Sequence, residues 1–257
     1  HNLNFDVSVL LNQSIKVKGL DSDTMVAAHL LGRKAVGLKN LALDVLNHEM
    51  TPITDLIGTG RKQKTMDQVS VDEVVRYACA DADVTGRLRT IFEKDLDVQG
   101  FWKLFKEVEM PLVEVLVTMQ NNGITLNSGV LRDMAGDLNR KLEELESVIY
   151  DDVGHTFNIG SPQQLGDVLF NELGLPKTRR TKTGYSTDAN SLEALKGGHP
   201  VIERILGYRQ LAKIKSTYVD TLPALVNPVS GRIHTSYNQA GSATGRISSN
   251  DPNLQNI

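Results

Sequence analysis

Residues 244–257 read Thr-Gly-Arg-Ile-Ser-Ser-Asn-Asp-Pro-Asn-Leu-Gln-Asn-Ile, and this stretch carries the most specific information in the chain. Its Thr-Gly and Ser-Ser pairs combine an unhindered backbone with hydroxyl groups, so both can approach a phosphate closely. Arg246 adds a planar guanidinium cation, whose N–H groups can donate hydrogen bonds to two acceptors at once. A polar surface loop is the alternative interpretation, and the residues further back in the chain distinguish the two.

The composition is that of an ordinary soluble globular protein with one or two domains. Of the 257 residues, 40% are apolar and 23% are charged, which is enough for sizeable cores. No run of about 18 apolar residues occurs, so we expect no membrane partner. The single cysteine, Cys79, fits a reducing compartment and is expected to be buried. The chain begins at His1, and we interpret it as an internal fragment.

Charge is unevenly distributed along the chain, although the net charge is only −3. Residues 133–152 carry seven acids against two bases, whereas residues 177–215 carry nine bases against three acids. A local basic stretch can bind phosphate while the whole protein remains acidic. Two solvated helix faces would produce the same distribution, so charge alone leaves both interpretations open.

A helix predicted from Ser70 to about Leu96 carries the first candidate for catalysis. Ser70 and Glu73 predict a capping box at its start. Tyr77 and Asp81 are four residues apart, so they share one face of this helix. A 3′–5′ exonuclease needs carboxylates for two divalent metal ions and a polar group, such as tyrosine, to orient the attacking water. An ordinary surface tyrosine is the alternative.

Further helix signals divide the remaining chain. We predict helices over residues 101–120 with an interruption at Pro111, from Asn127-Ser128 to about Ile149, from Ser161-Pro162 to Gly174, after Thr187, and from Pro200 to about Leu222. Residues 232–239 alternate in polarity and predict a strand. The helix over residues 200–222 carries Arg209 and Lys213 one turn apart, which would present two cations to a phosphate backbone. A solvated amphipathic helix is the alternative.

Two short patterns resemble motifs of the proofreading exonuclease in DNA polymerase I-type (family A) DNA polymerases. Residues 1–6, His-Asn-Leu-Asn-Phe-Asp, are similar to the second motif, and residues 77–85, Tyr-Ala-Cys-Ala-Asp-Ala-Asp-Val-Thr, to the third. The resemblance implies that Asp6 and Asp81 bind catalytic Mg²⁺ and that Tyr77 orients the water. The first motif, an Asp-x-Glu pair, has no counterpart, so we expect an incomplete two-metal site. Taken alone, Asp6 is equally compatible with a helix cap.

Residues 208–218 resemble a thumb helix of the same family, which follows the minor groove of primer–template DNA. Phosphates need cations and small hydroxyls on an exposed face, and this segment offers both. The resemblance implies DNA contacts by four side chains, namely Arg209, Lys213, Lys215 and Thr217.

Residues 244–257 resemble the opening of the family's palm. There the resemblance implies that Arg246 reaches the minor groove near the primer end, where correctly shaped base pairs present acceptors whatever the sequence. It also implies DNA contacts by Ser249, Asn253 and Gln255. The palm carboxylates that hold the polymerase metal ions lie further on in that family.

The resemblance also implies a fold and a division into domains. Residues 1–100 correspond to the later part of a ribonuclease H-like α/β exonuclease domain, residues 101–225 to a mainly α thumb, and residues 226–257 to the first strands of an α+β palm. From their pattern alone, the first hundred residues are compatible with an α/β or a mostly helical fold.

Taken together, the resemblance implies a DNA-directed DNA polymerase of replication and repair with an associated 3′–5′ exonuclease. Its partners would be primer–template DNA and deoxynucleoside triphosphates, its cofactor Mg²⁺, and its location the bacterial cytoplasm at the nucleoid, as a monomer. We expect this chain to bind DNA without polymerising, because the palm carboxylates are missing from it. Two alternatives remain, a dedicated 3′–5′ exonuclease and a non-catalytic DNA-binding module.

Overall fold

A computed structural model describes residues 1–182 and 184–257. The chain divides into two compact units, one of residues 1–123 and 234–256 (unit 1) and one of residues 124–233 with Ile257 (unit 2). Thr183, inside the basic loop before the predicted Thr187 helix, lies outside the described residues. In the part of the chain that the structure describes, none of the helices has the length and apolar character needed to cross a bilayer.

Unit 1 is helical apart from one small hairpin. Its helices are α1 (Leu3–Asn12), α2 (Thr24–Leu30), α3 (Leu38–Leu46), α4 (Ile53–Ile57), α5 (Val71–Val98), α6 (Trp102–Leu104) and α7 (Met110–Asn122). Residues 1–100 form helices, turns and irregular segments without a strand among the described positions, so the α/β fold implied for them is not seen there. The mostly helical alternative agrees with the structure.

Helix α5 forms the centre of the unit 1 core. It begins with the predicted capping box, in which the Ser70 hydroxyl accepts from the Glu73 N–H and the Glu73 carboxylate accepts from the Ser70 N–H. Every fourth residue of its second half is fully buried, namely Val84, Leu88, Phe92 and Leu96. Each such side chain contributes about 1.5–3 kcal/mol by leaving water. The first turns remain outside the core, and Cys79 is exposed there, which contradicts the expected burial.

The interruption predicted at Pro111 is confirmed and takes the form of a π-helical turn. Residues Phe105–Glu109 form this turn between α6 and α7, and Pro111 lies in the first turn of α7. A proline is tolerated there because the first N–H groups of a helix need no partner within it.

Unit 2 is built around two helices that pack together, α8 and α11. Its helices are α8 (Ser128–Val153), α9 (Pro162–Asp167), α10 (Ala189–Glu193), α11 (Val201–Ile214) and α12 (Thr221–Ala224). Asn127 and Ser161 cap α8 and α9 as predicted, since each side chain accepts a hydrogen bond from a backbone N–H of the first turn. The prediction of Thr187 as a cap is wrong by one residue, because Asp188 accepts from the Ser191 N–H.

Three elements predicted as continuous are divided in the structure. The helix predicted from Ser161-Pro162 to Gly174 ends as α9 at Asp167 and continues as a π-helical turn over Val168–Glu172. The helix over residues 200–222 ends as α11 at Ile214, continues as a π-helical turn over Lys215–Val219 and resumes as α12. The strand predicted over residues 232–239 is divided into two short strands, Arg232–Ile233 and Ser236–Asn238, because these pair with different partners.

The strands form three antiparallel pairs among the described residues. They are β1 (Ile124–Thr125), β2 (Arg180–Thr181), β3 (Gly184–Tyr185), β4 (Arg232–Ile233), β5 (Ser236–Asn238) and β6 (Ser248–Asn250). In unit 2, β1 pairs with β4 and β2 with β3; in unit 1, β5 pairs with β6 and places Tyr237 opposite Ser249.

Candidate functional site

Tyr77 and Asp81 form the centre of the candidate exonuclease site on α5. Their side chains lie close enough to influence each other: burial and the adjacent Asp81 carboxylate raise the pKa of Tyr77, so the phenol is protonated at neutral pH. Lys39 of α3 approaches the same pair, with its Nζ 5.7 Å from the centre of the Tyr77 ring. The four-residue spacing therefore brings the phenol and the carboxylate together, and the fold adds a cation that no spacing predicted.

The carboxyls of Asp81 and Asp6 share an unusual electrostatic environment. Burial raises the pKa of Asp81, although Lys39, the nearby Tyr77 phenol and the α-amino group of His1 oppose this. Partial burial also raises the pKa of Asp6, the His1 amino group lowers it and Asp23 raises it. For both carboxyls, burial is the largest cause of the raised pKa, and it disfavours the charged form.

Asp6 lies in the first turn of α1 but does not cap it. The N-terminal amides of this helix are taken by Asp23, whose buried carboxylate accepts from Asn2 N at 3.0 Å and Leu3 N at 2.6 Å. Asp6 itself is exposed. The helix-cap alternative for Asp6 is therefore wrong, and its carboxylate remains available for another partner.

The donor chemistry of Asp6 and Asp81 fits a divalent cation such as Mg²⁺. Hard cations prefer carboxylate oxygens, and a carboxylate with a raised pKa gains from added positive charge. Within residues 1–182 and 184–257, however, no group of three or more His, Cys, Asp or Glu side chains is placed to hold a metal ion. The two carboxylates would supply only part of a ligand set.

Arg209 does not lie on an exposed face of α11, contrary to the prediction. Its guanidinium donates to the backbone carbonyls of Thr187 and Ile159, the latter at 3.4 Å, and burial lowers its pKa. The Arg209 guanidinium therefore links α11 to the segments that contain Thr187 and Ile159, because it supplies a hydrogen-bond donor to the backbone carbonyl of each.

The other predicted thumb contacts differ in their availability. Lys215 is paired with Asp220, at 2.7 Å from its carboxylate, so its charge is compensated within the chain. Lys213 is exposed and has no ion pair with a described residue, and Thr217 is exposed on the π-helical turn. Of the four proposed contacts, Lys213 and Thr217 are therefore the two that present free groups.

Ion pairs within the chain compensate four of the nine basic residues in the stretch over residues 177–215. Its ion pairs are Arg179–Asp188, Lys196–Glu193, Arg204–Asp152 and Lys215–Asp220. Lys177 lies 5.3 Å from the centre of the Tyr185 ring. Among the basic residues of this stretch, Arg180, Lys182 and Lys213 are exposed without such a partner in the described chain, and we call them the free cations.

Arg246 lies in the exposed connection between β5 and β6. Its side chain has no partner among the described residues, as a contact to an external ligand requires. At the start of this connection, Gly241 packs so closely against Ser248 that a side chain at position 241 would collide with Ser248 Oγ. Gly245, next to Arg246, has a φ of 74°, a conformation that glycine adopts without strain.

Ser249 and Gln255 both make hydrogen bonds within unit 1, and Ser249 is buried while Gln255 is exposed. Ser249 is 1% exposed, and its Oγ accepts from Leu254 N at 2.9 Å and bonds Thr235 Oγ1 at 3.0 Å. The Gln255 amide donates to the Ile247 carbonyl and accepts from Ser249 N.

Asn253 is exposed, and its Oδ1 accepts from Gln255 N at 3.0 Å. Its amide nitrogen makes no hydrogen bond to a described residue, so it remains available to an acceptor outside the chain.

Three candidate functional residues were missed from the sequence. Lys39 carries no spacing signal, because it lies on a different helix from Tyr77 and Asp81. Arg180 and Lys182 belong to a basic loop that the sequence showed as charged, but nothing in it distinguished them from their neutralised neighbours.

Comparison with known protein families assigns the two parts of the chain. Residues 1–97 match the family model described as 3′-5′ exonuclease, and residues 128–257 match the model described as DNA polymerase family A. The first match includes Asp6, Tyr77 and Asp81, and the second includes the free cations and Arg246.

Similar proteins of known name agree with both matches. The chain is 47% identical to DNA polymerase I of Chloroflexus aurantiacus and 40% identical to that of Pseudomonas aeruginosa, over 100% and 98% of its length. It spans 28% of the length of each of these relatives. A solved structure of the POL domain of Pol1 from M. smegmatis, in complex with DNA primer-template and dNTP, superposes with a TM-score of 0.82 at 32% identity, covering 100% of this chain and 42% of that one. The chain belongs to DNA polymerase family A.

Proposed function

We propose that the chain acts as part of a longer DNA-directed DNA polymerase that extends a primer on a template and removes 3′-terminal nucleotides by an associated 3′–5′ exonuclease. The observation that supports this most directly is the order of the two family matches on one chain. The Tyr77–Asp81 pair on one face of α5 lies in the first match, and Arg246, which has no partner among the described residues, lies in the second.

In the proposed exonuclease, Asp6 and Asp81 contribute carboxylate ligands and Tyr77 orients water. Bound Mg²⁺ would stabilise the charge that develops on the scissile phosphate. The Tyr77 phenol stays protonated at neutral pH because its pKa is raised, so it can donate to a phosphate or accept from water. Lys39 offers a cation beside the same carboxylate, which suits an anionic substrate.

In the proposed DNA-binding surface, the free cations Arg180, Lys182 and Lys213 contact phosphates. The hydroxyl of Thr217, four residues after Lys213, adds a hydrogen-bonding group. Cations on flexible exposed side chains bind phosphates with little sequence preference. We propose that Arg246 has a different role, the reading of base edges near the primer end, because it stands alone on a constrained connection. Asn253 would support it through its unused amide nitrogen.

We further propose the domain limits 1–100, 101–225 and 226–257 for the exonuclease, thumb and palm portions. The similar M. smegmatis protein was solved with primer-template and dNTP, and we propose the same partners for the longer protein, with Mg²⁺ as cofactor. It would act as a monomer in the bacterial cytoplasm, at the nucleoid.

A comparison of this chain with a longer protein that continues beyond both of its ends tests the proposal. We expect the purified chain to bind labelled duplex DNA by fluorescence anisotropy and to add no nucleotide to a primer, whereas the longer protein extends the primer and degrades single-stranded 3′ ends. Template-directed incorporation by this chain, with contamination excluded, would overturn the assignment of the polymerase chemistry to residues outside it. Absence of both activities from the longer protein would leave a DNA-binding module.

A further inference from the structure

One side chain in unit 1, that of Gln120, bonds to two other elements at once. Its Nε2 donates to Asn4 Oδ1 at 2.6 Å and to Ser8 Oγ at 3.0 Å, both on α1. Its Oε1 accepts from Tyr237 N of β5 at 2.7 Å. Asn4 completes the arrangement, because its Nδ2 donates to the Tyr237 carbonyl at 3.3 Å.

Helix α1 depends on these polar contacts because its apolar packing is thin. None of its residues is fully buried. Leu3, Val7 and Leu11 only partly cover the core, and the Asp23 carboxylate holds the first amides of the helix. A helix held in this way can still turn about its axis or slide, so the bonds made to one of its faces have a large influence on its orientation.

The face that Gln120 holds lies opposite Asp6. Asn4 and Ser8 are four residues apart and adjacent on the helix surface, whereas Asp6 lies about 200° around the axis from Asn4. The bonds from Gln120 therefore fix the rotation of α1, and the rotation of α1 sets the direction of the Asp6 carboxylate.

The same side chain connects the two parts of the chain that match different families. Asn4 and Asp6 lie within the exonuclease match, Tyr237 lies within the polymerase match, and Gln120 lies between the two matched ranges. All of these residues belong to unit 1. The bonds of Gln120 thus set the exonuclease helix α1 against the hairpin β5–β6, whose connection carries Arg246.

We propose that Gln120 is a positioning residue for Asp6: it holds α1 in the rotation and register, relative to β5, that 3′-end hydrolysis requires. The proposal rests on the exonuclease function proposed above. The Gln120 side chain bonds to Asn4 and Ser8 and not to Asp6, so its effect on Asp6 passes through helix α1.

Amide hydrogen exchange of this chain tests the positioning without any activity. Gln120→Met keeps the length of the side chain and removes all its hydrogen bonds. We expect the α1 amides and the Tyr237 amide to exchange about tenfold faster, the factor that two or three lost hydrogen bonds produce, while the core of α5 stays protected. Gln99→Met is the matched control, since Gln99 is exposed and makes no side-chain bond to a described residue.

Gln120→Glu separates the two arms of the contact. It keeps the acceptor for the Tyr237 amide and removes the donor to Asn4, so α1 should exchange faster while Tyr237 stays protected. Unchanged α1 exchange in both variants would overturn the proposal. An equal increase in the amide exchange rates of all of unit 1, α5 included, would also overturn the proposal, because such an increase would show a general loss of stability.

The longer protein supplies the functional readout. Gln120→Met should lower exonuclease kcat on single-stranded 3′ ends about tenfold, the lower end of losses caused by removing groups that orient a ligand, with KM changed less than about twofold. An unchanged kcat, where Asp81→Ala abolishes the same reaction, would overturn the positioning role alone. Full exonuclease activity in Asp81→Ala would instead overturn the proposed function, whatever Gln120→Met does.

Discussion

Arg209 and Lys213 lie one turn apart on α11, yet only Lys213 presents its charge to solvent. The Arg209 guanidinium donates to the carbonyls of Thr187 and Ile159 inside unit 2, whereas Lys213 is exposed without an ion pair to a described residue. Two neighbouring cations of one helix therefore differ in their contacts: Arg209 bonds to carbonyl groups within unit 2, whereas the charge of Lys213 stays exposed to solvent.

Replacement of Arg209 should affect stability more than DNA binding. Arg209→Ala leaves two partly buried carbonyls without their donor, and such losses cost about 1–3 kcal/mol. Lys213→Ala, the control on the same helix, should change the free energy of unfolding by less than about 0.5 kcal/mol. Urea denaturation of both variants measures the difference. Equal stability of the two would show that the carbonyl contacts of Arg209 contribute little.

The salt dependence of DNA binding should identify the free cations. Each phosphate contact adds about 0.9 to the slope of log K against log salt concentration, so Lys213→Ala and Lys182→Ala should each flatten the slope by roughly that amount. Lys196→Ala is the matched control, because Lys196 is already paired with Glu193 at 2.7 Å. Anisotropy titrations with two unrelated duplexes provide the slopes. A slope that responds equally to all three variants would contradict the distinction between paired and free cations.

Ser249 and Arg246 should respond in opposite ways to replacement. Ser249→Ala removes a buried acceptor of the Leu254 amide and should cost about 1–3 kcal/mol of stability. Arg246→Ala should leave stability within about 0.5 kcal/mol. In the longer protein, Arg246→Ala should impair primer extension more than DNA binding, and matched primer ends more than mispaired ones. Extension kinetics on both kinds of end test this, and a defect in binding alone would point to a phosphate contact.

The Tyr77–Asp81 pair should control exonuclease activity in the longer protein. Asp81→Ala removes a proposed ligand and should lower 3′-end degradation at least about 100-fold, whereas Tyr77→Phe should cost about tenfold, because it removes only an orienting group. Degradation of a labelled single strand measures both. Asp83→Ala on the same helix is the control, since Asp83 is exposed and pairs with Arg87. If Asp83→Ala were as damaging as Asp81→Ala, the assignment of Asp81 would be wrong.

His155 should make the stability of unit 2 depend on pH. The Glu172 carboxylate, 2.6 Å from Nε2, and the Thr156 carbonyl raise the pKa of His155 above its ordinary value. Because the pKa of His155 is higher in the folded than in the unfolded state, its protonation stabilises unit 2. This stabilisation is complete below the unfolded-state pKa, near 6.5, and is lost as pH rises through the folded-state pKa. Denaturation at pH 5.5 and 8.5 should show this loss in the parent chain and a smaller one in His155→Ala. The same pH dependence in both would exclude the pair as its origin.

Local features of the chain were predictable because neighbouring residues determine them. The capping box of Ser70 and Glu73 and the shared helix face of Tyr77 and Asp81 follow from helix geometry within a single turn. The same holds for the caps at Asn127 and Ser161. The terminal run was specific enough to indicate the family, which the family match over residues 128–257 confirms. The position and chemistry of the exonuclease candidates were therefore readable before any contact was known.

The availability of each charged or polar group depended on contacts between residues far apart in the chain. Arg204 pairs with Asp152, Arg209 bonds the Ile159 carbonyl, and Gln120 bonds Asn4 across more than a hundred positions. A sequence shows how many cations a segment carries. It does not show which of them pair with carboxylates and carbonyls of the same chain after folding, where a buried polar group without a partner costs free energy. For this reason Arg246 and Lys213 present their charge to solvent, whereas Arg209 and Ser249 are occupied by contacts within the chain.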